Sequence, residues 1–285
     1  SLIFAGLTRL DDQGRPFPDL AETWSVSDDG LVYTFTLRNG LVWPDAVPLT
    51  TDDVIFTYDL WRNAATKASP APPEAFSSAK VSKVDARAIQ VELPQPFSPL
   101  PAYLTTGILP QHLLRDATPA NLADLPFNQH PMGAGAFRLI ELTADHAVLE
   151  PNSVYHAGRP FIELFEMRFY HDSQALMDAL EALQLDGAYF TSGLAEADVV
   201  KLEQDPAMQQ LELNTGETTF VYLNLNDTLF QDRRVRQALL YALDRDRIAG
   251  LVYGGMARRA ESPILLPVFS PGGLLPPPPT PTKAG

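Results

Sequence analysis

Apolar and polar residues alternate with a period of two over the early part of the chain, then give way to a period near 3.6. Leu31, Tyr33, Phe35 and Leu37 interleave with Val32, Thr34, Thr36 and Arg38, just after the turn signal Asp28-Asp29-Gly30. An Asp-Gly pair between apolar runs marks a hairpin, because glycine accepts the positive φ of a tight turn. The stretch from Leu20 to Trp61 therefore reads strand, turn, strand, loop, helix. Thr50 precedes Asp53 by three, and Val54, Tyr58 and Trp61 share one stripe, so a capped amphipathic helix is predicted to begin after Thr50.

Residues 69–73, SPAPP, cannot continue that helix and mark a loop. Ile89, Val91 and Leu93 then alternate with Gln90 and Glu92, and Pro94 and Pro96 end the strand by withdrawing backbone donors. A small antiparallel sheet carrying a helix is the expected result.

The rhythm changes near Ile108, where ILPQHLL leads through a polar loop to MGAGAFRLIEL at Met132 to Leu142. Ile162 to Tyr170 reads as a nearly continuous apolar strand. Asp172 is the expected cap of a helix bearing Leu176, Leu180 and Leu183, and Gly187 leads into a short strand at residues 188–190, AYF. Strand, helix, strand is the pattern of an α/β layer. Phe220 to Leu225 alternates as a further strand. Asp232 caps a helix with Val235, Leu239 and Ala242, and Asp244 caps another that stops at Gly254 and Gly255. Beyond Pro263 the segment FSPGGLLPPPPTPTKAG has no amphipathic period and predicts an extended tail. No internal repeat of fixed period occurs.

The 285 residues are enough for two domains, and 45% hydrophobic with 20% charged residues is ordinary globular composition. No apolar run approaches the ~20 residues of a membrane helix, and Ser1 to Leu10 lacks the basic start and apolar stretch of a signal peptide. The chain opens without Met, so an export signal removed before Ser1 is compatible with it. The absence of cysteine excludes disulfides, thiolate metal sites and a cysteine nucleophile. A net charge of −14 repels phosphate backbones and argues against a nucleic-acid partner. The basic cluster Arg233, Arg234 and Arg236 sits on one predicted helix among acids.

Candidate chemistry is sparse. GAGAF at Gly133 to Phe137 lacks the last glycine and the following helix of a phosphate loop, which favours a glycine turn entering a strand. His112, His130, His146, His156 and His171 form no i, i+4 pair and no HExxH, so loop or surface histidines are expected and no metal or cofactor is assigned. Asp28 with Asp29 lies in a turn and Asp52 with Asp53 in a helix's first turn, where acids favour the positive end of the dipole. No GxSxG elbow is present. Phe220, Tyr222 and Asn224 share a face of the predicted strand; such a face suits a peptide-like ligand, or sheet packing.

Six motifs occur in order: LIFAGLTRLDDQGRPFPDLAETW, the hairpin and helix of Leu20 to Trp61, ILPQHLL, GAGAFRL, LEPNSVYHAGRP and FQDRRVRQALLYALDRDRI. Together, from about Leu2 to about Pro267, they resemble the extracellular solute-binding proteins of family 5, which serve peptide, dipeptide and nickel importers of the ABC type. Two positions depart from the family pattern. Ala46 stands where glycine is usual, and Ala136 where a proline or similar residue commonly follows the glycine turn.

The resemblance implies an α/β, two-lobed periplasmic-binding-protein-like fold of type II with an extra small lobe. It implies that this chain is a piece of it, with the opposing C-terminal lobe missing. Residues 5–107 would form the small lobe, 108–266 with 1–4 the first main lobe, and 267–285 a proline-rich tail or the start of the missing lobe. The function implied is non-enzymatic: capture of peptides or a similar small polar solute outside the cytoplasm and delivery to an ABC permease in the membrane. The expected protein is monomeric, needs no cofactor, and is periplasmic or extracellular, with a lipidated N-terminus outside this chain as one route of anchoring. Thr105, Thr106, Gly133, Ala134, Gly135, Phe220, Tyr222 and Asn224 are the ligand-contact candidates, since these segments lie beside the cleft in the resembling proteins. A carboxylate-dependent hydrolase of peptides or glycosides, and a ligand sensor that does not transport, are the rival readings.

Overall fold

A computed structural model of the chain describes residues 2–68, 70–190, 194, 196–209, 211, 219–253, 257, 259 and 260. Two compact units divide at Phe169 and Tyr170.

The first unit, Ser1–Phe169, holds three antiparallel sheets. β1 (Thr8–Leu10) pairs with β2 (Pro16–Pro18). β3 (Ala21–Val26) and β4 (Val32–Leu37) form the predicted hairpin around Gly30, whose φ is +71°. The Gly30 N–H donates to the Ser27 carbonyl at 2.8 Å, and the Asp29 carboxylate accepts from the Leu31 N–H at 3.0 Å.

α1 (Thr51–Arg62) starts where the sequence places it. Its Thr50 cap and Asp53 form the reciprocal box, with the Thr50 N–H donating to Asp53 Oδ2 at 2.8 Å. α2 (Glu74–Ser77) follows the proline loop, then β5 (Lys80–Lys83) and β6 (Ala88–Glu92). β6 inserts between β4 and β5, giving the order β3-β4-β6-β5.

The period-two pattern now has its cause. Tyr33, Phe35 and Leu37 of β4, with Ile89 and Val91 of β6, face one core, which α1 closes with Val54, Tyr58 and Trp61. The Phe76 ring of α2 lies 5.0 Å from Trp61 and meets Tyr58 edge-on at 5.3 Å, an arrangement favoured by the ring quadrupoles. Burial of the Tyr58 phenol pushes its pKa well above the ordinary tyrosine value.

After the short α3 (Leu100–Tyr103) come β7 (Phe137–Leu142), β8 (His146–Pro151) and β9 (Phe165–Arg168) in the order β7-β8-β9. Here the structure corrects the sequence reading. The apolar run from Ile162 to Tyr170 yields only four strand residues, because β8 offers β9 a ladder from His146 to Leu149 alone. Phe161, Ile162 and Leu164 stay exposed.

The second unit, Tyr170–Gly285, contributes helices among its described residues: α4 (Ser173–Glu181), α5 (Glu196–Gln204), α6 (Thr228–Gln231), α7 (Arg233–Ala242) and α8 (Arg245–Tyr253). The caps are as read: Asp172 accepts from the Ala175 N–H, Asp232 from Arg234 and Asp244 from Arg247. The stripe on α4 differs. Met177 and Leu180 are buried, whereas Leu183 lies beyond the helix in the left-handed region at φ +55° and is exposed. A closing bond from the Gln184 N–H to the Ala179 carbonyl explains this turn, which glycine usually occupies.

Residues 188–190 and 220–225 are not strands, so the strand, helix, strand layer is not formed among the described residues. A strand exists through its ladder partner, and neither segment has one there. Tyr189, Phe220, Val221 and Tyr222 are correspondingly exposed. Gly254, Gly255 and the predicted tail lie outside the described residues.

Candidate functional site

The extended segment Leu2–Leu7 is the part of the first unit that gathers the predicted site residues. On one side its Ala5 carbonyl accepts from the Ile108 N–H at 2.9 Å, and the Thr8 N–H donates to the Leu104 carbonyl at 3.2 Å. On the other side the Ile3 carbonyl accepts from Gly135 at 2.8 Å and the Leu2 carbonyl from Phe137 at 3.0 Å. Thr105 and Thr106 flank the segment on the first side, Gly133, Ala134 and Gly135 on the second.

This approach is too close for side chains. A Cβ at Gly133 would stand 2.1 Å from the Ile3 carbonyl oxygen, and one at Gly135 would stand 2.4 Å from that of Leu2. The glycines of GAGAF are therefore there for backbone-to-backbone contact, in line with the glycine-turn reading. Asn152, almost fully buried, donates through Nδ2 to the Gly135 carbonyl at 2.8 Å and accepts from the Val154 N–H. Both the N–H and the carbonyl of Gly135 are thus engaged within the protein. Thr105 is exposed and Thr106 half-buried, so their hydroxyls are more open to a ligand than the Gly135 amide.

In the second unit Phe220, Tyr222 and Asn224 are exposed, with the two aromatic rings 6.0 Å apart. Asn224 Oδ1 accepts from the Asn226 N–H in a local turn.

Sequence reasoning missed the buried polar links of the first unit. His156 and Asp19 are each less than a tenth exposed, with Nε2 3.1 Å from Oδ1, an ion-pair distance without hydrogen-bond geometry. His112 Nε2 lies 2.8 Å from Asp45 Oδ2. Burial raises the Asp45 pKa, but the hydrogen bonds from His112 and the Val47 N–H outweigh it and hold this carboxyl below its ordinary value. Both histidines sit in loops, as expected, but each lies against a carboxylate far away in sequence, 67 positions for His112 and Asp45, which leaves no local signal. His146 does conform, at a β-turn with Asp145, whose hydrogen bond is the main cause of its raised pKa.

Two surface clefts complete the picture. One of about 400 Å³ lies along α1 between Ile55, Phe56, Asp59 and Pro119. Another of about 370 Å³ lies between Glu22, Arg38, Asn39 and His156. Neither includes a predicted contact residue. Among the described residues no group of three His, Asp or Glu side chains could hold a metal ion.

The sequence model of the bacterial extracellular solute-binding proteins, family 5 middle, matches residues 15–285. This chain belongs to that family. A Brucella ovis relative, named as an ABC transporter peptide-binding protein, is 33% identical over 246 residues, covering 85% of this chain and 46% of its own. The dipeptide-binding protein of Escherichia coli is 29% identical, covering 86% of this chain and 49% of its own. Among solved structures, NikZ of Campylobacter jejuni in complex with Ni(L-His) superposes with a TM-score of 0.75 at 26% identity, covering 92% of this chain and 52% of that one. The chain thus spans about half the length of the relatives it matches, and the mixed helix-and-sheet architecture is that of the family 5 proteins.

Proposed function

We propose that this chain is part of the substrate-binding component of an ABC importer, taking up peptides or a similar small polar solute outside the cytoplasm and passing it to a membrane permease. The observation that carries the reading is the family match over residues 15–285, supported by the peptide- and dipeptide-binding relatives. Residues 5–107 serve as the small lobe and 108–266, with 1–4, as most of the first main lobe of a two-lobed protein. No catalytic step is assigned. The paired carboxylates support this, since Asp53 is spent on the helix cap and Asp29 on its turn.

The candidate ligand-facing groups in this reading are, within the first unit, the hydroxyls of Thr105 and Thr106 and, taken separately within the second, the exposed side chains of Phe220, Tyr222 and Asn224. Gly133, Ala134 and Gly135 shape the wall by letting the backbone of Leu2 and Ile3 approach. A solute held between lobes gains affinity only from contacts present in the closed state. Native mass spectrometry of the protein after gentle purification tests this. A peptide-sized adduct released intact on denaturation is expected; conversion of an added peptide library into cleaved products would overturn it in favour of a hydrolase.

A further inference from the structure

Asn39 and Gly40 form the only Asn-Gly pair in the sequence and sit in the turn between β4 and Trp43, both exposed. Gly40 has φ +69°, and a Cβ built on it would meet nothing within 4 Å, so no neighbouring group crowds the turn around its Cα. Among the described residues neither the Asn39 side chain nor the Gly40 N–H has a hydrogen-bond partner. The residue before them is anchored instead, with the Arg38 N–H on the Leu20 carbonyl at 3.0 Å and its Nε on the Asp19 carbonyl at 2.6 Å. The pair also borders the 370 Å³ polar cleft with Glu22, Arg38 and His156, which gives water access to it.

We propose that Asn39 is a site of spontaneous deamidation in the folded protein. The Gly40 nitrogen gives up its proton to water and attacks Asn39 Cγ. The new N–Cγ bond closes a succinimide as the Cγ–Nδ2 bond breaks and ammonia leaves with the proton. Water then opens the imide at either carbonyl, giving aspartate or isoaspartate, so the net change is one amide and one water converted to one carboxyl group and ammonia. Glycine is the residue that shields its own nitrogen least. The Arg38 guanidinium next in sequence favours the anionic nitrogen and the oxyanion that follows it.

Four other described asparagines, each held by hydrogen bonds through its side chain, serve as internal controls. Asn152 precedes the small Ser153 but is 2% exposed and bonded at both ends of its amide. Asn63 caps Ala65, and Asn121 and Asn128 donate to backbone carbonyls nearby.

Peptide mapping by mass spectrometry after incubation in mildly alkaline buffer tests the proposal, on the folded protein and on the same chain in urea. In the folded protein the Asn39 peptide should gain about 1 Da, split between aspartate and isoaspartate forms, before any other asparagine peptide does. Unfolding should leave its rate little changed while that of Asn152 rises. Asn39→Gln should abolish the early product; its persistence would assign the reaction elsewhere and overturn the proposal. Protection of Asn39 in the folded state by about tenfold or more, the mark of a site that must open before reacting, would overturn it as well.

Discussion

The carboxylate of Asp53 accepts a hydrogen bond from the backbone N–H of Gln111 at 2.9 Å, although the two residues are 58 positions apart. Its second oxygen holds the Thr50 N–H, so one buried side chain both starts α1 and pins the ILPQHLL segment to it. Thr57, one turn on, repeats the arrangement by accepting from the Leu109 N–H at 2.8 Å. Asp53→Ala strands two N–H groups that a carboxylate had satisfied. A loss of about 2–4 kcal/mol is expected, read as a lower urea midpoint with an unchanged slope. A change within about 0.5 kcal/mol would mean that water replaces the carboxylate freely.

Ala46 occupies the left-handed region at φ +68°, a conformation that glycine adopts without a steric penalty. An L side chain there costs about 1–2 kcal/mol, part of which glycine's greater freedom in the unfolded chain gives back. Ala46→Gly should therefore stabilise the protein by a net of roughly 0.5–1 kcal/mol, read as a higher thermal midpoint. A fall would show that the loop from Trp43 to Val47 tolerates the side chain without strain.

Gly135→Ala places a Cβ 2.4 Å from the Leu2 carbonyl oxygen and 2.5 Å from the Ile3 carbonyl carbon, both backbone atoms that cannot swing aside. The segment Leu2–Leu7 must shift, and a destabilisation of about 3 kcal/mol or more follows from overpacking with loss of its hydrogen bonds. Hydrogen exchange at Gly135 and Phe137, whose N–H groups bind Ile3 and Leu2, should accelerate together. Unchanged protection at both amides would contradict the close approach.

Acid should loosen the link between Asp45 and His112. The Asp45 pKa in the folded protein lies below its ordinary value of 3.8, so the stability it contributes is complete above that pH and is lost as pH falls through the folded pKa. Asp45→Asn should flatten the acid limb of a stability-versus-pH curve while leaving neutral behaviour nearly parallel to the parent. The pair is partly exposed, so the effect is modest and should shrink with added salt.

What could be read from the sequence was whatever is settled within about a dozen residues. The Gly30 turn, the Thr50 and Asp53 box, the stripe of Val54, Tyr58 and Trp61, and the caps at Asp172, Asp232 and Asp244 all rest on local backbone geometry. Strand extent does not. Ile162 to Tyr170 has the composition of a long strand, but the number of β8 residues available to pair decides how much of it forms. Phe220 to Leu225 has the alternation and lacks a ladder among the described residues. The same holds for the candidate site: the glycines of GAGAF announce a special backbone, but not that Ile3 is what presses against it.

That contact sets an order of events in the making of the protein. Ile3 is joined to Gly135 and Ala5 to Ile108, so a stretch emerging near the start of this sequence has no seat until more than a hundred later residues exist. At the pace of synthesis the wait is on the order of ten seconds. During it the hairpin around Gly30 and the α1 stripe can already assemble, while Ile3 and Phe4 stay in reach of chaperones and other chains. Closure over so long a loop is also the slow kind of contact to form. The junction is therefore expected to mature well after the hairpin and α1, and to be the part of the first unit that waits longest, open to interception, between its emergence and its closure.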